Sequence, residues 1–220
     1  MARKGTSTSR AQTERSPSFA DSVFINCPFD HRYSPMLESI VFCVVDCGFF
    51  PRSALEQIDS GDLRLNKIRR LIQGSKYAIH DISRIEVTRS SPFPRFNMPF
   101  ELGLDLGCRF YGADQLSSKR CLILDEKQYR YQKVLSDIAG QDIRAHNNSP
   151  DRAITVVREW LRNASGRTTL PGPNHIKSHF QSFARVLPDY ADRSGLDRND
   201  LQFADYVLLI EEWLKTTGPA

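Results

Sequence analysis

The chain has 220 residues, 40% of them hydrophobic, which is enough to bury the core of one ordinary globular domain with a small appendage. Its net charge of +4 comes mainly from residues 1–20, where four basic residues and one acidic residue leave only +1 for the rest of the chain. Nucleic-acid-binding surfaces need concentrated lysine and arginine, so this nearly neutral body argues against a nucleic-acid partner.

The first elements of the chain alternate between strand and helix. Residues 1–20 are rich in serine, threonine and basic residues and are predicted to form a disordered basic tail. The short apolar run Ser22–Asn26 predicts a strand, and the turn after it carries polar groups out of the sheet. A helix is predicted over Ser34–Asp46, with Ser34 as its cap, and a second strand ends near Arg52.

The same alternation continues to residue 166. The pattern predicts strands over 77–83, 121–125 and 142–146, helices over 62–73 and 97–109, a short helix near 134–139 and a longer one from 151. Such alternation makes the strands mostly parallel and places helices on both faces. We therefore expect an α/β domain over residues 21–166, built as a flavodoxin-like three-layer sandwich with a mostly parallel five-stranded sheet. The basic residues of the helix over 62–73, Arg64 among them, are interpreted as a solvated face.

Beyond a linker at 167–173 the strand pattern disappears. Residues 173–216 predict a C-terminal helical segment, with helices over 175–187 and 201–214. Their many aromatic and aliphatic residues must be covered by something. Two interpretations stay open: a helical hairpin that lies on the main domain, or a module that makes a homo-oligomer.

The cysteines, histidines and apolar runs predict the compartment and argue against a metal site. The five cysteines are odd in number and lie mostly in apolar patterns, which is typical of buried thiols in a reducing compartment. The five histidines are scattered, so we expect no metal and no cofactor. No apolar run is long enough to span a membrane, and the N-terminus lacks a signal peptide. We expect a soluble cytoplasmic protein without a membrane partner.

One stretch, Arg95 to Leu104, places a carboxylate near the start of a helix. Asn97 is predicted to cap this helix, Pro99 fits its first turn, and Glu101 follows one turn later. Just upstream, the strand over 77–83 ends with polar residues that include Asp81. Open α/β sheets bind ligands at such strand ends, so Glu101 is a candidate site residue. The alternative is that Glu101 only complements the helix dipole.

These residues resemble a paired signature of the TIR-like and nucleoside 2-deoxyribosyltransferase-like superfamily. Its members carry a strand-end aspartate, a variable loop, an asparagine and, four residues later, a glutamate followed by leucine and glycine. Asp81, Asn97 and Glu101 match these positions, whereas Arg95 replaces a first asparagine of the family pattern. The segment 24–30 is similar to the family's first strand and ligand-bordering loop, and the likeness covers residues 21–125, extending weakly to 165.

The resemblance implies an enzyme that breaks an N-glycosidic bond, with Glu101 as the catalytic carboxylate. The favoured branch is a TIR-like NAD hydrolase, which would release nicotinamide and leave ADP-ribose or a cyclised product, as an assembly-activated bacterial antiphage defence effector. NAD is then the substrate and no cofactor is needed. The resemblance, or the position of a residue at a strand end or in a neighbouring loop, suggests six substrate-binding residues: Asn26, Asp30, Arg52, Asp81, Arg84 and Asn97.

Other functions stay open beside this one. A nucleoside 2-deoxyribosyltransferase would carry the same signature and use a deoxynucleoside in place of NAD. A non-catalytic module that binds a nucleotide signal, or that self-associates, would keep Glu101 as a binding residue. For each arginine, a surface ion pair is the structural alternative to a phosphate contact.

Overall fold

The computed structural model describes residues 17–56, 61–84, 95–133 and 135–217. Five strands form one parallel sheet: β1 (Ser22–Asn26), β2 (Phe50–Arg52), β3 (Tyr77–Asp81), β4 (Arg120–Asp125) and β5 (Arg144–Ala145). Six α-helices accompany them in the described part of the chain: α1 (Ser34–Asp46), α2 (Arg64–Gln73), α3 (Asn97–Tyr111), α4 (Pro150–Ser165), α5 (Pro173–Arg193) and α6 (Phe203–Thr217).

The strand order is β2-β1-β3-β4-β5, and every pair is parallel. This is the flavodoxin-like order, so the predicted fold class is confirmed. The sheet is short at both edges. β5 pairs with β4 at only two positions, which is fewer than the five residues predicted.

Successive side chains of each strand point to opposite faces of the sheet. Val23 and Ile25 of β1 join a core with α1 and α4, whereas Phe24 joins a core with α2. A smaller cluster around Ile82, Leu102 and Ile123 packs α3 on that second face. The helices therefore cover both faces, and the strands β1 and β3 are buried from end to end.

The two C-terminal helices add a further layer over α1 and α4. Their apolar faces belong to the same core as β1 and α1. Phe183 of α5 and Trp213 of α6 both lie against Phe42 of α1, with ring centroids 5.4 and 6.0 Å apart. In this chain, the apolar residues of 173–216 are thus covered by the main domain, as the hairpin interpretation expected.

Several local predictions differ from the structure. The tail was predicted to extend to residue 20; residues 1–16 lie outside the described part, but Phe19–Asp21 forms a short 3-10 helix, and Lys76 donates a backbone hydrogen bond to Phe19. In place of the short helix near 134–139 there are two 3-10 turns, Arg130–Lys133 and Ser136–Ile138. No helix among the described residues is long and apolar enough to cross a bilayer.

The caps predicted for α1 and α3 are wrong. Tyr33 and Phe96 occupy the N-cap positions of α1 and α3, and both have helical backbone angles without a side-chain cap bond. A residue whose side chain caps the first turn typically has an extended backbone. Ser34 and Asn97 are instead the first residues of their helices, and Asn97 is exposed.

Candidate functional site

The candidate site lies where the order of the strands reverses. β1 leads through α1 to β2 on one side, and β2 leads through α2 to β3 on the other side of β1. Open α/β sheets bind ligands at the carboxyl ends of two such strands. Here those ends carry Asn26 on β1, and His80 and Asp81 on β3.

A buried chain of hydrogen bonds starts at this point. Nδ2 of Asn26 lies 3.0 Å from Nδ1 of His80 and 3.1 Å from the carbonyl oxygen of Met98 in the first turn of α3. Because the amide donates to the Met98 carbonyl, it also donates its second hydrogen to His80, and Nδ1 of His80 is an acceptor. The imidazole proton therefore lies on Nε2, which is 3.1 Å from Oδ2 of Asp105.

Asp105 carries this chain on to a buried lysine. Oδ1 of Asp105 lies 2.9 Å from Nζ of Lys119, whose side chain is 1% exposed. Lys119 also donates to the carbonyl oxygens of Ile72 and Ser75. Burial raises the pKa of Asp105, but the hydrogen bond from His80 and the charge of Lys119 outweigh this effect, and the pKa is lowered overall. Asp105 is thus held as a carboxylate between two donors.

Glu101 lies one turn before Asp105 on α3, which places both carboxylates on the same face of the helix. The residue is 4% exposed. Its carboxylate makes no hydrogen bond and no ion pair with any residue in the described ranges. Burial raises the pKa of Glu101, while His80 and Arg64 lower it in part.

Cys27 follows β1 directly and lies near enough to Glu101 for the carboxylate to act on its thiol. This thiol is buried, and its pKa is raised by burial and then by Asp81, Glu101 and Asp30. A thiol with a raised pKa stays protonated and is a poor nucleophile. Cys27 is therefore a neutral group beside the candidate carboxylate of Glu101.

Asp81 was predicted to bind substrate, but the structure gives it another role. Its Oδ2 accepts from the hydroxyl of Tyr33 at 2.5 Å and lies 3.0 Å from Nε2 of His146. Its Oδ1 accepts from the backbone N–H of Ser83 at 2.8 Å. These bonds lower its pKa despite burial, which by itself would raise it. Both oxygens of Asp81 are engaged within the protein and its side chain is fully buried, so it ties the end of β3 to its neighbours.

Two further predicted contacts are engaged within the protein. Arg52 forms a two-oxygen ion pair with Glu56 at 3.0 Å, so its guanidinium is held beside β2. Asp30 pairs with Arg95 at 3.3 Å, which joins the loop after β1 to the approach to α3. The ion-pair alternative is thus correct for Arg52. Asp30 lies close enough to Cys27 to raise the pKa of its thiol, which places Asp30 near the site.

Arg64 and Arg84 make no ion pair with any residue in the described part of the chain. Arg84 makes no ion pair or hydrogen bond with the described residues. Burial and Asp81 raise the pKa of the Tyr33 phenol, and Arg84 is close enough to lower it in part. Arg64, at the start of α2, lowers the pKa of Glu101. Arg64 is exposed, as expected of a solvated face, and it also lies close enough to Glu101 to act on it electrostatically.

The sequence patterns did not point to five side chains of this network: His80, Asp105, Lys119, Tyr33 and His146. A histidine inside an apolar strand was the signal for His80, and the spacing of four residues from Glu101 was the signal for Asp105. Tyr33 and His146 lie far from Asp81 in the sequence, and only the fold brings these side chains together.

His80, Asp105 and Cys121 are close enough for their ligand atoms to surround a metal ion. The hydrogen bonds disfavour this arrangement. Nδ1 of His80 accepts from Asn26, so Nε2 carries the proton and offers no lone pair to a metal. Lys119 already neutralises Asp105, and burial raises the pKa of Cys121. We interpret this group as a hydrogen-bonded support beneath Glu101.

Comparison with known proteins gives no family for this chain: no family model, no curated protein and no solved structure matches it. Its function must therefore be inferred from the site itself.

Proposed function

We propose that this protein cleaves the N-glycosidic bond of a nucleotide, and that its favoured reaction is hydrolysis of NAD to nicotinamide and ADP-ribose or a cyclised product. One observation carries the proposal. Glu101 places a buried carboxylate, without a partner among the described residues, at the point where the strand order reverses. Buried charges are normally paired, so an unpaired one at a ligand-binding position indicates a functional group.

The chemistry of glycosidic cleavage uses such a group. As the bond from the ribose C1′ to the nicotinamide nitrogen breaks, its electron pair leaves with nicotinamide, which becomes neutral and needs no acid. Positive charge develops on C1′ and the ring oxygen, and the Glu101 carboxylate stabilises it in a partly dry site. The oxygen of a water molecule then bonds to C1′ and loses its proton to solvent. In a cyclised product, a nitrogen of the adenine ring takes the place of water.

The surrounding contacts favour a fixed carboxylate. Asn26 binds the carbonyl of Met98 in the first turn of α3, and His80 binds Asp105 one turn beyond Glu101. Glu101 is therefore held from both sides along the helix. A catalytic group contributes most when its supporting contacts set its position before substrate binds.

The nearby positive charges favour a phosphorylated substrate over a simple nucleoside. Arg64 and Arg84 have no ion pair within the described part of the chain, and both act electrostatically on residues of the site. Guanidinium groups bind phosphate oxygens by charge-assisted hydrogen bonds. This supports a dinucleotide such as NAD over the deoxyribosyltransferase alternative. Asn97 and Asp30, at the rim of the site, are proposed to contact the ribose or nicotinamide.

We also propose that activity depends on self-association, as expected of an assembly-activated effector. The apolar faces of α5 and α6 are used inside the protein, so a homo-oligomer would use other surfaces. Light scattering of the full chain over a range of concentrations measures the mass of the particle in solution and tests this proposal. A mass equal to one chain at every concentration, with unchanged activity per chain, would contradict it.

The test of the function is incubation of concentrated protein with NAD, followed by chromatography of the products. The variant is Glu101→Gln, and its matched control is Glu159→Gln, because Glu159 is exposed on α4. We expect nicotinamide release by the wild type and the control, and a loss of about 100-fold or more in Glu101→Gln, as for other electrostatic groups in active sites.

The other outcomes identify the alternatives. Base exchange between a deoxynucleoside and a free base, with NAD intact, would indicate a deoxyribosyltransferase. Tight NAD binding without turnover, at high concentration and under crowding, would indicate a nucleotide-binding module. Equal nicotinamide release by the wild type and Glu101→Gln would overturn the proposed role of this residue.

A further inference from the structure

An aromatic surface is exposed on α3, the helix that carries Glu101. Ten large hydrophobic residues are exposed in the described part of the chain, and four of them lie on α3 or at its N-cap. These four are between 54% and 92% exposed: Phe96, Phe100, Phe110 and Tyr111. Single exposed rings are common on monomeric proteins, but several on one helix indicate an interaction surface.

The four rings share one side of the helix with two glycines. At about 100° per residue, six residues fall within a stripe about 100° wide, which we call the α3 stripe. Its members are Phe96, Phe100, Gly103, Gly107, Phe110 and Tyr111. None of them carries a charge, so the stripe fits an apolar partner. Glu101 and Asp105 lie on the buried side of the helix, so a partner on the stripe does not contact them.

The middle of the stripe is formed by Gly103 and Gly107, one turn apart. Apart from the neighbouring backbone of the helix, no described atom lies within 4 Å of the position that a Cβ would take at either residue. Glycine destabilises a helix interior, and the packing inside this chain gives no reason for it here. The distance between two packed helices depends on the side chains at their contact, so these glycines allow a second helix to approach closely.

The order of residues along the stripe identifies the second helix. Read from either end, the stripe passes through a phenylalanine, two glycines and a phenylalanine, arranged symmetrically about Asp105. In an antiparallel pair of α3 helices, Gly103 therefore meets Gly107 of the partner subunit, and Phe100 meets Phe110 of the partner subunit. Only an antiparallel pair requires a palindromic order, and its opposed helix dipoles also attract each other.

We propose that the α3 stripe is the interface of a homodimer, with a two-fold axis at the level of Asp105. The two helices cross at the glycines and diverge toward their ends, where the aromatic rings fill the widening gap. This interface rests on the self-association proposed above and gives it a surface on the helix that carries Glu101. It does not depend on the hydrolysis of NAD.

The area of the stripe is sufficient for a dimer. A fully covered aromatic side chain buries about 150–250 Å², so four rings at these exposures offer about 400–700 Å² in each copy. Two copies together offer about 800–1,400 Å², before the helix backbone between the rings is included. A specific interface needs about 1,000 Å² in total, so we expect a reversible dimer.

The experiment is analytical ultracentrifugation of the full chain without NAD, over micromolar to submillimolar concentrations. We expect an equilibrium between one and two chains. Phe100→Glu and Phe110→Glu should each raise the dissociation constant about tenfold or more, because each change occurs twice in a two-fold interface. Leu208→Glu is the matched control, because Leu208 is equally apolar and exposed but lies on α6. Circular dichroism verifies that each variant is folded.

Gly103→Leu distinguishes a close helix contact from general hydrophobic association. Leucine is the better helix former, and the space beside Gly103 is open, so the folded chain should be at least as stable. The added side chain would occupy the space of the opposite backbone, so the dissociation constant should rise about tenfold or more. General association between apolar surfaces would instead become stronger, and that result would overturn the proposed interface.

Two further results would also overturn it: the mass of one chain at every concentration, or an unchanged dissociation constant in Phe110→Glu. Nicotinamide release by a protein that stays at the mass of one chain would overturn the interface but leave the proposed cleavage by Glu101 in place. Conversely, a dimer that is weakened by these variants and leaves NAD intact would support the interface and contradict the proposed hydrolysis.

Discussion

The side-chain amide of Asn26 lies 3.0 Å from Nδ1 of His80, and this contact joins the ends of β1 and β3 across the point where the strand order reverses. The same amide holds the first turn of α3 through the carbonyl of Met98. One asparagine thus connects two strands and the helix that carries Glu101. It also fixes the imidazole proton on the nitrogen that faces Asp105.

Asn26→Ala is expected to lower the free energy of unfolding by about 1–3 kcal/mol, because it leaves the buried Nδ1 of His80 without a donor. Asn97→Ala is the matched control. Asn97 is exposed and makes no hydrogen bond within the described residues, so its replacement should change stability by no more than about 0.5 kcal/mol. Urea denaturation followed by circular dichroism measures both. Equal losses would mean that the amide of Asn26 does not hold the site.

Glu101 and Asp105, one turn apart, are expected to affect stability in opposite directions. The pKa of Glu101 is raised by burial, so the folded state disfavours its ionised form. This cost is fully present above the folded pKa and disappears as pH falls below the unfolded value of about 4.5. Glu101→Gln should therefore raise the melting temperature at pH 7, and the gain should vanish in acid. A lower melting temperature at pH 7 would mean that Glu101 has a stabilising partner.

Asp105→Asn should destabilise the protein at pH 7 by about 3–5 kcal/mol, because it leaves the buried Lys119 without its counter-charge. The pKa of Asp105 is lowered in the fold, against the effect of burial, by His80 and Lys119. Its stabilising contribution is present above the unfolded pKa of about 3.8 and is lost as pH falls through the folded value. Melting temperatures of Asp105→Asn and the wild type should converge in acid; a constant difference would contradict this.

The raised pKa of Glu101 also predicts the pH dependence of catalysis. If the carboxylate stabilises a cation, the rate must fall when Glu101 is protonated. Because burial raises its pKa, this fall should occur at a higher pH than for an exposed glutamate. Measurement of kcat/KM for NAD against pH tests it. A rate that stays constant down to the ordinary glutamate pKa would exclude Glu101 as the titrating group.

Arg64 and Arg84 are expected to bind the phosphates of the substrate. The double variant Arg64→Gln and Arg84→Gln should raise KM for NAD about tenfold, equivalent to about 1.4 kcal/mol of lost binding energy, and should affect a nucleoside without phosphate much less. Arg52→Gln is the control, because Arg52 is already paired with Glu56. An equal rise in KM for Arg52→Gln would indicate a general effect of net charge.

The main elements of the fold could be predicted from local pattern. The apolar runs of β1, β3 and β4 and the alternation of strands and helices were sufficient for the sheet. The bounds of α1 were also predicted correctly, because Pro35 lies in its first turn and Gly48 follows it with a φ of 74°, a left-handed conformation that suits glycine. Edge strands are less marked, since β5 has only two paired residues.

The candidate site was predicted only in part, for a physical reason. The position of Glu101 follows from one helix start, which is local in the sequence. The roles of Asp81 and Arg52 depended on which groups meet them in space, and Tyr33, His146 and Glu56 were not predicted as their partners. Hydrogen bonds between polar side chains that are distant in the chain leave no periodic pattern in the sequence. The sequence around a strand-end aspartate is therefore the same whether its carboxylate is free or fully hydrogen-bonded.

The helices α5 and α6 form part of the domain core. Phe183 is fully buried, with ring centroids 5.4 Å from Phe42 and 5.6 Å from Trp213, so Phe183→Ala should cost about 3–5 kcal/mol. Leu208→Ala is the control, because Leu208 of α6 is 50% exposed and should cost no more than about 0.5 kcal/mol. Urea unfolding should show one transition by circular dichroism and by the fluorescence of Trp160 on α4 and Trp213 on α6, and Phe183→Ala should shift it by both probes. If α5 and α6 unfolded separately, Phe183→Ala would split the transition and leave that of the α/β domain in place.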